Sequence, residues 1–231
     1  MSPDIAASIH ARLLRPARER GEQFELTLAR YAAERFLYRL GNSGARDRCI
    51  LKGASLLSVW FKDPYRATRD IDVLASGPVD EQAIRALVDE VCGVPCPEDG
   101  LRFDLANLAV EDIRGDDEYA GKRARFRAFL GKARIRVQID LGVGDAVAIP
   151  SETIVYPTLL PALPAPSLRA YPREVALAGE VPRDGEPRHT QQPHEGLPRR
   201  VGVDRSLRLR GPSAPDGDRR VLRAARHTLD R

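Results

Sequence analysis

The stretch that decides the fold is LKGASLLSVWFKDPYRATRDID, residues 51–72. An apolar segment typical of a buried strand ends at Gly53, and ASLLSVWF (54–61) has the composition of a short helix. The polar run KDPYRATR (62–69) then leads into DIDVLA (70–75), where polar and apolar residues alternate as they do in a strand. This order predicts two strands that are joined by a short helix and a polar loop.

The second strand carries two aspartates, Asp70 and Asp72, at positions two apart, which places both carboxylates on one face. Two adjacent carboxylates repel each other and raise each other's pKa unless a cation lies between them. Mg²⁺ is a suitable cation, because it binds a few carboxylates and completes its shell with phosphate oxygens and water. Asp140, on the polar side of the alternating segment 134–144, is the candidate third carboxylate, and three would allow two metal ions.

The residues around the glycine suit a phosphate ligand. Gly53 lets the backbone approach a phosphate, and Ser55 opens the predicted helix, whose first N–H groups are free to bind an anion. Lys52, Arg66 and Arg69 supply positive charge nearby, so all five residues are candidates for nucleotide binding.

Plainer interpretations of these residues stay open. Arg66 and Arg69 are also suitable ion-pair partners for the two aspartates, which would leave no metal site. Lys52 is equally compatible with an ordinary exposed position, and Asp140 with a cap at the end of a strand. Trp60 and Phe61, at the end of the predicted helix, are expected to be core residues.

The rest of the chain predicts an α+β fold with a mixed sheet, because helices come first and strands alternate with helices afterwards. Pro16 is expected to end or kink the first helix, and the prolines between 150 and 166 indicate an irregular crossover. The predicted helices are 3–20, 22–40, 78–91 and a segment from 171, and the further predicted strands are 49–53, 101–113, 122–130 and 134–144.

Charge is unevenly distributed along the 231 residues, whose net charge is +4. Residues 181–231 hold twelve Arg, no Lys and seven acidic residues, a net charge of +5, which leaves −1 for residues 1–180. The first 180 residues therefore lack the positive net charge typical of nucleic-acid-binding domains. Three cysteines are too few for a disulfide framework, and no apolar run is long enough to span a bilayer, so we expect a cytoplasmic protein without membrane contact.

A glycine and a small hydroxyl residue before a helix, followed by Asp-x-Asp on the next strand, resemble the signature of the nucleotidyltransferase superfamily of DNA polymerase beta type. Within that superfamily, four segments are similar to the AbiEii/AbiGii toxin family, and the resemblance covers roughly residues 5–178. The segments are IHARLLRPARERGEQFELTLARYAAERFLYRLGNS (9–43), ILKGASLLSVWFKDPYRATRDIDVL (50–74), VQIDLGVGDAV (137–147) and YPREVALA (171–178).

The resemblance implies a nucleotidyltransferase-type mixed sheet flanked by helices, with an NTP substrate and Mg²⁺. It implies that Gly53 and Ser55 contact the phosphates and that Asp70 and Asp72 hold the metal, with Asp140 as the weaker match. It further implies a toxin of a bacterial toxin–antitoxin or abortive-infection system. Such a toxin transfers a nucleoside monophosphate to an acceptor, for which the family indicates RNA, particularly tRNA ends, and it has a cognate antitoxin as partner.

Beyond Ala178 the sequence departs from the family, which continues with a lysine-containing helix and then a segment similar to Lys-Asp-Phe-x-Asp. Neither occurs in GEVPRDGEPRHTQQPHEGLPRR (179–200). Permitted codons for residues 179–201, read one base later, can encode both segments in order, so we hypothesise a frameshift near Gly179. The predicted organisation is an N-terminal helical segment (1–45), a nucleotidyltransferase core (46–178) and an irregular, out-of-frame tail (179–231).

Two other functions remain as alternatives. A truncated or frameshifted remnant would keep the core of the fold without turnover, since the missing lysine segment belongs to the family's catalytic region. A nucleotidyltransferase that modifies a small molecule would use the same phosphate and metal residues with a different acceptor.

Overall fold

The computed structural model describes residues 4–61, 70–78, 80–113, 121–144 and 150–178. All of them lie within the first of the two units into which the chain divides, Met1–Arg188. Arg66, Arg69 and the predicted tail 179–231 lie outside the described residues. None of the helices that the structure describes combines the length and apolar character needed to span a bilayer.

The described elements follow the order expected from the sequence, with two further strands near the end. The helices are α1 (Ile5–Arg20), α2 (Phe24–Gly41), α3 (Leu57–Trp60), α4 (Glu81–Gly93) and α5 (Arg173–Ala178). The strands are β1 (Cys49–Lys52), β2 (Asp70–Ala75), β3 (Leu101–Ile113), β4 (Gly121–Leu130), β5 (Ala133–Val143), β6 (Glu152–Val155) and β7 (Ser167–Ala170).

The strands form one mixed sheet in the order β3-β4-β5-β2-β1-β7-β6. The β2–β5 and β1–β7 pairs are parallel, and the other neighbours are antiparallel. This arrangement confirms the predicted α+β fold with a mixed sheet. The central position of β2 places its two aspartates between β1 and β5.

The core lies between one face of the sheet and α1, α2 and α4. On β4 the buried residues alternate with exposed or half-buried ones, as a strand with one covered face requires. Phe36 of α2 packs against Phe103 and Phe126 of the sheet, with ring centroids 6.1 Å away from each. Burying each of these rings contributes about 2–3 kcal/mol. The helices therefore cover one face, and the polar residues of the central strands point to the opposite face.

Two local expectations need correction. Pro16 does not end the first helix, one of the two outcomes expected for it, because α1 continues past it to Arg20 and is followed by Gly21 in a left-handed conformation (φ 60°). Burial of Leu13 and Ala17 on either side of the proline holds the helix together there. The proline-rich crossover contains β6 and β7, where Ile154 and Leu168 are buried. The prolines bound these strands instead of excluding them.

A buried ion pair fastens α2 to the start of β3. Arg39 donates from Nη1 to Asp99 Oδ2 at 2.6 Å, and Asp99 Oδ1 accepts the backbone N–H of Leu101 at 2.9 Å. Arg39 Nε also donates to the carbonyl of Val94, and Tyr31 donates its hydroxyl to the carbonyl of Asp99. Because both charged groups are almost completely removed from water, each depends on the other.

Replacing Asp99 by Ala should lower the free energy of unfolding by about 3–5 kcal/mol, since the Arg39 charge would stay buried without its partner. Urea denaturation measures the loss. The matched control is Glu81→Ala, which removes one member of the exposed Arg85–Glu81 pair and should cost at most about 0.5 kcal/mol. Equal losses in the two variants would contradict a special role for the buried pair.

Candidate active site

Four charged side chains lie in one row across the open side of the sheet. The strand register pairs Lys52 with Asp72, Asp72 with Asp140, and Asp140 with Arg123. Neighbouring strands are about 4.8 Å apart, and residues in register point to the same face. The charge sequence along this row, which we call the charged row, is therefore positive, negative, negative, positive. The structure thus brings together three residues predicted from the sequence, Lys52, Asp72 and Asp140.

The aspartates of β2 share the face predicted for them. Asp70 is exposed and Asp72 half-buried, whereas Ile71 between them is buried in the core. Asp70 is in register with Gln138, which lies two residues before Asp140 on β5 and on the same face. All three predicted carboxylates therefore belong to one side of the sheet.

Asp72 is electrostatically the most perturbed of the three. Burial, together with the negative charges of Asp140 and Asp70, raises the pKa of its carboxyl group to about 6. The positive charges of Lys52 and Arg123 act in the opposite direction and offset part of the rise. Since the carboxylate form is costly here, the site favours an additional cation next to Asp72.

Asp140 is held by Arg123, a residue that the sequence did not single out. Arg123 donates from Nε and Nη2 to the two carboxylate oxygens of Asp140, at 2.7 and 2.6 Å. These hydrogen bonds raise the pKa of the Arg123 guanidinium. The two-pronged geometry fixes the orientation of the Asp140 carboxylate. A cap at a strand end, the plainer interpretation of Asp140, does not fit its position within β5.

Lys52 reaches across the sheet toward β5. A Cβ added at Gly142 would lie 2.9 Å from Lys52 Nζ, so the ammonium group occupies the space that the glycine leaves free. Lys52 starts on β1 and Gly142 lies on β5, which means that the side chain crosses β2 next to Asp72. An ordinary exposed lysine would not lie in this position.

The turn after β1 packs directly against Asp72. Gly53 has a φ of 74°, and a Cβ at this position would lie 2.3 Å from Asp72 Oδ2. Glycine is thus required both by the backbone conformation and by the space. The predicted helix 54–61 is wrong in detail: a 3₁₀ turn over Ala54–Leu56 precedes the four-residue α3. Ser55 is buried there, and its hydroxyl donates to the carbonyl of Lys52 at 3.2 Å.

The side chains of Asp72, Asp140 and Asp70 offer carboxylate oxygens, which are ligands that Mg²⁺ prefers. Asp72 and Asp140 are direct neighbours, and Asp70 lies two residues before Asp72 on the same face. Among the residues that the structure describes, no group of three or more His, Cys, Asp or Glu side chains is arranged to hold a metal ion. Both oxygens of Asp140 accept hydrogen bonds from Arg123. The metal role of Asp70, Asp72 and Asp140 therefore stays a prediction.

Two cavities lie along α2, and none of the four residues of the charged row lines either of them. A small one, about 20 Å³, is lined by Ser55 and Asp70 among others. A larger one of about 490 Å³ is lined in part by Trp60 and Phe61. Phe61 is 41% exposed, so its predicted core position is wrong. Its ring faces the larger cavity because α3 ends one residue earlier.

The comparisons with known proteins identify the family to which this chain belongs. Residues 35–179 match the model of a family described as "Nucleotidyl transferase AbiEii toxin, Type IV TA system". Because the match covers more than half of the chain, the chain belongs to the AbiEii nucleotidyltransferase toxin family. This confirms the resemblance read from the sequence. No curated protein matches the chain.

Two solved structures match part of the chain. The crystal structure of JHP933 from Helicobacter pylori has a TM-score of 0.41 and 12% identity, and the match covers 68% of this chain and 56% of that one. A presumed nucleotidyltransferase from H. pylori has a TM-score of 0.39 and 14% identity, with coverages of 65% and 55%. The chain thus spans slightly more than half the length of these proteins.

Replacing Asp72 by Asn should stabilise the protein at pH 8 by about 1 kcal/mol, a value that allows for solvent screening of this half-buried group. The folded pKa of about 6 lies above the ordinary value of 3.8, so wild-type stability falls as the pH rises from about 4 to 6. The gain should therefore be absent at pH 3.5 and constant above pH 7.

Urea denaturation at a series of pH values, without divalent cations, measures this difference. The control is Asp89→Asn, which makes the same change at an exposed position of α4, away from the charged row, and should have little effect. A gain for Asp72→Asn that is the same at pH 3.5 and pH 8 would contradict a raised pKa of Asp72 in the folded protein.

Proposed function

We propose that this chain is a Mg²⁺-dependent nucleotidyltransferase toxin that transfers a nucleoside monophosphate from an NTP to an RNA acceptor. The observation that carries the proposal is the charged row, in which two neighbouring carboxylates lie between Lys52 and Arg123 in a chain of the AbiEii family. The reaction forms a bond between an acceptor hydroxyl oxygen and the α-phosphorus, and it breaks the bond to the pyrophosphate leaving group.

Asp72 and Asp140, with Asp70 beside them, are the residues that would hold Mg²⁺. When bound, Mg²⁺ supplies positive charge that neutralises the phosphate oxygens during phosphoryl transfer. Asp72 is largely ionised above about pH 6 and so is ready to bind a cation at neutral pH. Arg123 orients Asp140, and Lys52 brings an ammonium group to the same face, where it is suited to contact phosphate oxygens.

RNA as acceptor is supported by a set of arginines on the same face of the sheet. Arg127 and Arg136 are in register on β4 and β5, and both are exposed, as is Arg134. In the described part of the chain, no carboxylate lies within ion-pair distance of these three guanidinium groups. Arg136 is four residues from Asp140, about 13 Å along the strand. The net charge of −1 for residues 1–180 thus conceals a local positive surface next to the carboxylates.

The partner that we propose is an antitoxin. The family belongs to Type IV toxin–antitoxin systems, in which a toxin is paired with an antitoxin. We expect the pair to act in the cytoplasm, as part of an abortive-infection or related defence system.

Two alternatives lead to different outcomes. The family match ends at residue 179, where the sequence analysis places a frameshift, and this favours an inactive remnant as the first alternative. The second is transfer to a small molecule, which needs the charged row but not the exposed arginines.

Incubation of the full chain with each α-labelled NTP, Mg²⁺ and total RNA tests the proposal. We expect label on RNA, and we expect Asp72→Asn to reduce transfer at least 100-fold, because it removes a carboxylate from the proposed metal site. Label on small acceptors only would favour the second alternative. No transfer by a chain of confirmed sequence and mass would favour the remnant.

The exposed arginines give a separate prediction. The double variant Arg127→Gln/Arg136→Gln should raise KM for RNA by about tenfold without changing kcat, since the lost contacts are to phosphates away from the reacting atoms. The slope of log affinity against log salt should decrease by about 1.4, as expected for two lost contacts to single-stranded RNA. The control Arg12→Gln/Arg15→Gln makes the same change in net charge on exposed positions of α1. The same loss in both variants would show that only total charge matters.

A further inference from the structure

The charged row continues onto β3 with a further carboxylate. Arg123 of β4 is in register with Asp140 on β5 and with Glu111 on β3. Residues in register point to the same face, and each neighbouring strand is about 4.8 Å away, so the arginine stands between two acceptors. The negative charge of Glu111 acts on the Arg123 guanidinium, as do those of Asp140 and Asp70. The guanidinium therefore has a choice of partners, and the structure places it on Asp140.

The bond to Asp140 uses the whole carboxylate. Nε and Nη2 of Arg123 donate to different oxygens of Asp140, at 2.7 and 2.6 Å, and the Asp140 side chain is only 17% exposed. Asp140 is also one of the two neighbouring carboxylates to which we assign Mg²⁺. A guanidinium and a divalent cation on the same carboxylate repel each other, and partial burial strengthens this repulsion because little water screens it. Arg123 and the cation therefore cannot both bind Asp140 at full strength.

Glu111 can accept a second guanidinium. Its Oε2 accepts from Nη1 of Arg125 at 2.7 Å, whereas its Oε1 accepts no hydrogen bond from the described residues. Arg125 also donates from Nε to Gln138 at 3.0 Å, so it keeps a partner if Glu111 changes its own. The side chain of Glu111 is 52% exposed, and solvent screens its charge more than that of Asp140. Glu111 is thus the weaker acceptor, which suits one that is used only when Asp140 is taken.

We propose that Arg123 and Mg²⁺ compete for Asp140, and that Glu111 is the acceptor to which the guanidinium moves when Mg²⁺ binds. The inference rests on the proposed function, in which Asp72 and Asp140 hold the cation. No covalent bond changes, because hydrogen bonds to Asp140 are exchanged for hydrogen bonds to Glu111. Arg123 is accordingly a positioning residue that keeps the affinity for a divalent cation low. Glu111 raises that affinity, because it offers the displaced arginine a second partner.

The variant Arg123→Gln removes the competitor. Cation binding is measured on the full chain without nucleotide or RNA, with Mn²⁺ as the probe, whose free ion is counted by its EPR signal, and Mg²⁺ is then titrated against it. We expect the Kd for Mn²⁺ to fall about tenfold, a coupling of ordinary size between two ligands. If Arg123 only oriented Asp140 for the cation, the Kd would rise instead. An unchanged or higher Kd in the folded variant would therefore overturn the proposal.

The second acceptor is tested by Glu111→Gln, which does not depend on the folding of Arg123→Gln. The Kd for Mn²⁺ should rise about threefold, the size expected for loss of an exposed ion pair. The matched control is Asp112→Asn, which makes the same change in charge at the next residue of β3, on the opposite face, where Asp112 pairs with Lys122. It should leave the Kd unchanged. Equal effects of the two variants would overturn the proposal, since total charge would then explain both.

The double variant Arg123→Gln/Glu111→Gln tests the exchange itself. In the absence of Arg123, loss of Glu111 should leave the Kd for Mn²⁺ unchanged, because no guanidinium has to move. A loss of affinity as large as in the wild-type background would show that Glu111 acts independently of Arg123, and would overturn the exchange.

These outcomes are separate from the transfer assay. Tighter Mn²⁺ binding by Arg123→Gln supports the proposal even if no NTP is transferred to RNA, in which case only the proposed function fails. Transfer by the wild type, with unchanged Mn²⁺ binding in Arg123→Gln, would overturn the inference alone. Absence of Mn²⁺ binding in both proteins would overturn it together with the metal site.

Discussion

Two carboxylates on neighbouring strands are the constraint on which this structure depends. The parallel register of β2 and β5 places Asp72 beside Asp140, and burial together with the repulsion from Asp140 raises the pKa of Asp72. The fold offsets the repulsion with a cation on each side, Lys52 from β1 and Arg123 from β4. Neighbouring carboxylates that are partly buried destabilise the folded protein. Groups with strongly shifted pKa values are typical of functional sites.

Two glycines, Gly53 and Gly142, lie next to the charged row, where a larger side chain would overlap with the side chains of the row. A side chain at Gly53 would overlap with the carboxylate of Asp72, and one at Gly142 would displace the ammonium of Lys52. On the covered face, large apolar side chains and the buried Arg39–Asp99 pair fix the helices against the sheet. The face of the sheet that is covered by helices thus supports the open face, where the like charges of Asp72 and Asp140 lie close together. On helix α2, Phe36 packs in the core and Glu34 Oε2 accepts the backbone N–H of Leu159, so the helix also holds the segment after β6.

Much of the fold follows from local patterns. The period-two alternation in residues 70–75 placed both aspartates on one face, and the helical period of residues 22–40 gave α2 almost to the residue. The four-residue strands β6 and β7 were missed, because short apolar pairs among prolines resemble a loop. Phe61 was misplaced for a related reason: an aromatic residue after an apolar run suggests core, and only the early end of α3 exposes its ring.

The sequence by itself determined which residue types are available, which face of a strand each occupies, and through its motifs the family. These properties depend on neighbours a few residues apart, where the backbone geometry fixes the outcome. Tertiary structure alone decided that Asp72 lies beside Asp140, that Arg123 holds Asp140, and that the rings of Trp60 and Phe61 share a cavity with Glu34. These contacts join segments tens of residues apart, and their register is set by how the helices and strands pack together, which no local pattern encodes.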